Sequence, residues 1–242
     1  MRRPVWLPVW LLALCCLAAC AGKPYADDRA GRFAGRLQVV WVSQGNQDAG
    51  DGNFLYVPSG GRPLVFKRPA GVDGPAEIQP GLLFTDGGSI PKLLQIFGPL
   101  SPWGYGPAYV IHDWLFVVHH CFVDGTPRPG TVDLSFPQSV DILGEAIRTL
   151  QTDHYAKVDE GAGVAVVAAV GAPITRAKWD RRGACPPPPT QEQVRAVLRV
   201  LPGITPEQAR ALMRLAEPKA GPAVKGLAPA PAVARLVATV DY

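Results

Sequence analysis

Two short segments gather the polar, potentially reactive side chains of this chain beside glycines and aromatics. They are Phe84-Thr-Asp-Gly-Gly-Ser-Ile-Pro91 and, about twenty residues on, Ile111-His-Asp-Trp-Leu-Phe116. Asp86 stands in a glycine turn, where Gly87 and Gly88 let backbone amides approach a ligand and Ser89 can cap a following helical turn. His112 and Asp113 are neighbours in a largely apolar stretch, and burying them requires polar partners. An imidazole held there could act as general base on a water. The adjacent carboxylate could orient the ring, or bind a hard cation that polarises a carbonyl or phosphoryl oxygen. Each residue also has a structural alternative: Asp86 as the cap of the Gly88 or Ser89 amides, His112 as a core histidine bonded to a strand end, and Asp113 as the partner of Arg128 or Arg148. Asp141 and Glu145 would then be a solvated helix face. His119, His120 and His154 fall in or near loops, and no Cys/His spacing completes a zinc site.

The elements that must position these segments read as an α+β fold. From Phe33, Leu37, Val39 and Trp41 alternate with Gln38, Val40 and Val42, giving a strand with one apolar face and a second, partly apolar one. Residues 54–57 and 64–66 read as strands joined in a hairpin by Pro58-Ser-Gly-Gly-Arg-Pro63. Glu77-Ile78-Gln79 and Gly81-Leu-Leu-Phe84 continue a small antiparallel sheet that ends in the Asp86 turn. Pro107 suits the first turn of a helix over 108–119, with Tyr109, His112 and Phe116 on one side. A second helix is expected from Ser135 to Leu150, with an apolar stripe of Ile142, Leu143, Ala146, Ile147 and Leu150 and a polar face of Asp141, Glu145 and Arg148. The apolar stretch 161–172 is too short to cross a membrane and reads as a buried helix or strand.

The N-terminus has a basic start, Met1-Arg-Arg, and an uncharged apolar run from Pro4 to Ala19, the pattern of a secretory signal. Leu17-Ala18-Ala19-Cys20 resembles the lipobox of bacterial lipoproteins, which implies acylation of Cys20 and anchoring in the cell envelope. Ala21 and Gly22 favour the outer membrane, with the body facing the periplasm. Without Arg2 and Arg3 the 24 basic residues become 22 against 20 acidic ones, a balance of +2 that argues for no nucleic-acid partner. Of the five cysteines, Cys121 and Cys185 remain for a disulfide or for two free thiols. The expected organisation is a signal over 1–19, a tether over 20–32 and a folded body over 33–184. A proline linker over 185–189, a helical hairpin over 190–217 and a disordered tail over 218–242 follow.

Gln79-Pro-Gly-Leu-Leu-Phe-Thr-Asp-Gly-Gly-Ser-Ile-Pro91 followed by Ala108-Tyr-Val-Ile-His-Asp-Trp-Leu-Phe116 resembles the paired motif of the phage and bacterial family called domain of unknown function 1353. The resemblance covers roughly residues 33–182. Gly88 replaces the family's usual Ala and Phe116 its usual Tyr, and the family implies no established activity. The helix His112, Asp113, Phe116 also resembles that of secreted calcium-dependent phospholipases, without their dense half-cystine framework. That resemblance implies an ester or amide hydrolase in which His112 activates water and Asp113 with the loop carbonyls of 85–89 holds calcium. Asp141 or Glu145 would orient the ring. The competing expectation is a non-catalytic envelope binding or scaffolding module in which both motifs are structural. Leu201-Pro-Gly-Ile-Thr-Pro-Glu-Gln-Ala-Arg-Ala-Leu-Met213 resembles a helix-hairpin-helix with Thr205 where its second glycine belongs, so a docking or structural role is expected for it.

Overall fold

The computed structural model describes residues 24–43, 53–85, 105–130, 133–156, 159–216 and 234–242. The signal segment, Cys20 and the turn Asp86, Gly87, Gly88, Ser89 lie outside the described residues. The fold is α+β, as expected, with two small antiparallel sheets and six α-helices among the described residues. β1 (Arg32–Ala34), β4 (Val65–Lys67) and β5 (Glu77–Ile78) pair in the order β1-β4-β5. β6 (Leu83–Thr85), β3 (Asn53–Tyr56), β2 (Arg36–Ser43) and β7 (Arg235–Asp241) form the second sheet in that order.

β2 is apolar on both faces because both are covered. Leu37 and Val39, with Phe54 and Tyr56 of β3, point into the main core, while Val40 and Val42, with Leu55 and Val57, point into a second core on the other side. Gly35 turns the chain from one sheet to the other. It has φ +92°, and a Cβ there would stand 1.9 Å from the carbonyl oxygen of Pro63, so any larger residue collides with the backbone.

The helices are α1 (Gly106–Val123), α2 (Phe136–Thr152), α3 (Glu160–Val170), α4 (Pro173–Trp179), α5 (Gln191–Leu198) and α6 (Pro206–Leu215). α2 starts with a capping box in which the Ser135 hydroxyl accepts from the Gln138 amide and the Gln138 side chain accepts from the Ser135 amide. Its stripe of Ile142, Leu143, Ala146, Ile147 and Leu150 is fully buried against α1. None of the helices among the described residues is long and apolar enough to cross a membrane.

Several expectations are corrected. The strands at 54–57 and 64–66 do not form a hairpin: β3 pairs with β2 and β6, and β4 with β1 and β5. The segment read as a tether up to residue 32 is packed from Tyr25 onwards. The Tyr25 hydroxyl donates to Gln151 Oε1 at 2.7 Å, Arg148 lies over the Tyr25 ring, and the Gly31 amide donates to Thr149 Oγ1. The tail read as disordered from 218 ends in β7, antiparallel to β2 and fastened by Arg36 Nε to Asp241 Oδ1 at 2.7 Å. The proline stretch does not isolate the hairpin. Val194, Val197, Leu201 and Leu212 cover Val40, Val42, Leu55 and Val57 and complete the second core. Thr205 caps α6 by accepting from the Gln208 amide, which gives the position a structural use.

Candidate functional site

α1 is the element on which the expected site depends, and its seat against the second sheet is set by Gly81. A Cβ on Gly81 would stand 2.8 Å from the Trp114 ring, so the absence of a side chain lets the indole lie over the strand leading into β6. That seat brings the end of β6 to the middle of α1, where Thr85 Oγ1 donates to Asp113 Oδ2 at 2.6 Å. Two motifs 28 residues apart are thereby joined by a charge-assisted hydrogen bond. Thr85 is buried and Asp113 half-buried.

His112 is a core histidine, 8% exposed, with its ring 5.0 Å from that of Phe116. Phe116 in turn meets His120 and Trp179 edge-on at 5.8 and 4.8 Å. One turn before Asp113, the Tyr109 hydroxyl is buried with no hydrogen-bond partner among the described residues. Burial first, then Tyr105 and the Asp113 charge, push its pKa far above the usual tyrosine value.

Of the two carboxylates expected to orient His112, Glu145 is paired elsewhere. Glu145 is wholly buried, and its two oxygens accept from Arg68 Nε at 2.7 Å and Nη2 at 3.0 Å. The same guanidinium donates through Nη1 to the carbonyls of Asp73 and Pro75, so it clamps the β4–β5 loop onto α2. The polar stripe of α2 is therefore covered at Glu145 instead of solvated. Asp141, half-buried, lies one turn earlier on the same helix.

His119 stacks on Trp179 with ring centroids 3.9 Å apart and planes 16° from parallel. His120 Nε2 lies 3.0 Å from the Lys178 carbonyl. Desolvation, followed by the neighbouring His120, lowers the His119 pKa, against the opposing pull of the Trp179 backbone, Asp180 and Asp133. Among the described residues no group of three or more His, Cys, Asp or Glu is arranged to hold a metal ion.

Cys121 and Cys185 are joined in a disulfide across 64 residues, tying the end of α1 to the segment after α4. Trp114, Leu115 and Val118 of α1 line a cleft of about 250 Å³ with Ile78 and Leu134, and exposed Glu77 and Gln79 stand at its rim. Neither His112 nor Asp113 lines it. Sequence reasoning had no signal for this cleft, because its walls come from β5, α1 and the loop before α2.

Compared with protein-family models, curated proteins and solved structures, the chain matches none.

Proposed function

We propose that this chain is an envelope lipoprotein anchored through Cys20, whose body is a non-catalytic binding or scaffolding module of the domain of unknown function 1353 kind. In this reading the Thr85 and His112–Asp113 motifs are a latch between β6 and α1. The observation that carries it is the 2.6 Å bond from Thr85 Oγ1 to Asp113 Oδ2. Support comes from two further facts: His112 is buried with its ring against Phe116, and Glu145 is ion-paired with Arg68. The disulfide suits an oxidising compartment such as the periplasm. The cleft beside Trp114 offers the module an apolar seat with a carboxylate at its rim.

A second reading keeps one observation in its favour. Asp113 is half-buried and bonded to the residue that precedes Asp86 in the sequence, so an ester or amide hydrolase with His112 as general base and calcium on Asp113 remains the competitor. His112→Ala separates the two. The latch reading predicts a lower melting temperature and no ester or amide turnover in either protein. Calcium-dependent turnover in the native chain, abolished in the variant at an unchanged melting temperature, would establish the hydrolase. The anchor is checked by labelling cells with radioactive palmitate, which the native chain incorporates and Cys20→Ser does not.

A further inference from the structure

The disulfide has chemically unequal ends. Cys121 Sγ belongs to a fully buried residue and receives a hydrogen bond from Arg128 Nε at 3.4 Å. Cys185 is half-buried, and its sulfur meets the Thr126 hydroxyl at 3.4 Å at the protein surface. Charge is distributed in the same sense. The guanidinium of Arg128 stands at the Cys121 end, while the Asp124 carboxylate stands at the Cys185 end, accepting from the Gly183 amide at 2.7 Å and the Cys185 amide at 2.8 Å. Those two bonds hold the Asp124 pKa below the usual carboxylate value, so the negative charge is present throughout the neutral range.

A thiolate exchanges with a disulfide by attacking one sulfur and expelling the other, and the better-stabilised thiolate leaves. Here the more accessible end is the half-buried Cys185, and the leaving group is Cys121, whose thiolate the Arg128 cation stabilises. From this polarity we infer that the Cys121–Cys185 bond is an exchange site for a dithiol oxidoreductase, with Cys185 as the sulfur that is attacked.

The steps balance. A thiolate of the oxidoreductase bonds to Cys185 Sγ as the Sγ–Sγ bond breaks, and Cys121 departs as a thiolate beside Arg128. The second thiolate of the oxidoreductase then attacks its own sulfur in the mixed disulfide and releases Cys185 as a thiolate. The partner's dithiol is oxidised to a disulfide and the chain's disulfide is reduced by two electrons; the two protons that the partner's thiols lose on ionising pass through solvent to the released cysteines, so the exchange is proton-neutral overall. Non-covalent ties persist across the reduced pair: Asp124 still holds the Gly183 and Cys185 amides, and Arg128 Nη2 still reaches the Pro186 carbonyl. The cysteines stay adjacent, so the reaction runs in both directions. This inference rests on the disulfide and its neighbours, and it stands apart from the function proposed above.

Reduced glutathione in excess, a monothiol with no second sulfur of its own, reads the polarity when rapid acid quenching traps the mixed disulfide before the freed cysteine recloses it. The full-length oxidised chain is exposed to it, quenched with acid, alkylated and mapped by mass spectrometry. Glutathione on the Cys185 peptide with an alkylated Cys121 is expected in at least about ten molecules for each one of the opposite arrangement. Equal labelling, or glutathione mainly on Cys121, overturns the inference. Arg128→Met is expected to slow the exchange by about threefold or more, because losing the cation raises the leaving thiol's pKa and a less acidic thiol leaves more slowly. Arg128→Lys keeps the cation and should fall between the two. An unchanged rate in Arg128→Met overturns the role of Arg128. The wild-type labelling pattern decides the polarity even if that variant folds poorly.

Discussion

Replacing Glu145 with Leu should be among the most damaging single changes available outside the latch. The carboxylate and its partner Arg68 have side chains 0% and 2% exposed, and their two hydrogen bonds measure 2.7 and 3.0 Å. Removing the carboxylate alone leaves a guanidinium buried without its counter-charge, a loss of about 3–5 kcal/mol. Arg68→Met alone strands the carboxylate at similar cost. Making both changes removes the charges together and leaves the carbonyls of Asp73 and Pro75 without their Arg68 donor. These lie where the loop is partly solvated, so about 1 kcal/mol each is the expected loss. The double variant should therefore be more stable than either single one, with a coupling of about 2 kcal/mol or more. Urea unfolding followed by circular dichroism on the four proteins measures it, provided the slopes agree. Additive losses would refute the clamp. A stable Glu145→Leu protein would return that carboxylate to the list of candidate orienting groups for His112.

Two further predictions concern the end of α1. Cys121→Ser/Cys185→Ser removes a cross-link spanning 64 residues, for which the chain-entropy treatment gives roughly 4 kcal/mol. An unfolding free energy, extrapolated from urea, within about 1 kcal/mol of the native protein's would contradict that treatment here. Acidification from pH 7.5 to 5.5 should destabilise the fold through His119. Its folded pKa is lowered from 6.5, so the unfolded chain binds the proton first. The stabilisation from the neutral ring is whole above 6.5 and is lost as the pH falls from that value through the folded one. His119→Phe, which keeps a ring on Trp179, should flatten this dependence, and an unchanged pH profile would assign it to other groups.

Local signals carried the helices. The spacing of Ile142, Leu143, Ala146, Ile147 and Leu150 states a buried stripe directly, and Thr190 and Thr205, each followed three residues later by Gln, mark capped helix starts. The double-sided apolar character of β2 was visible too, although what covers Val40 and Val42 lies some 150 residues downstream in α5 and α6. Pairing was less legible. Pro58-Ser-Gly-Gly-Arg-Pro63 reverses the chain, but a turn does not name a partner strand, and β3 and β4 separate into different sheets. The composition of the tail obscured Arg235–Asp241, whose order comes from the edge of β2 and the Arg36–Asp241 ion pair. Tyr25 and Asp28 sit in a polar-looking segment that packs on α2 and α3. At the site, Thr85 and Asp113 fall within the two motifs, so the sequence pointed at both. The Arg68–Glu145 clamp spans 77 residues and leaves no local mark.

The latch between β6 and α1 is tested most directly by the coupling free energy of Thr85 and Asp113. It is measured by urea unfolding of the native chain, Thr85→Val, Asp113→Ala and the double variant. A partly buried hydrogen bond to a carboxylate predicts a coupling of about 1.5 kcal/mol, with each single change lowering stability. Losses that add to within about 0.5 kcal/mol would show that the two motifs do not hold each other.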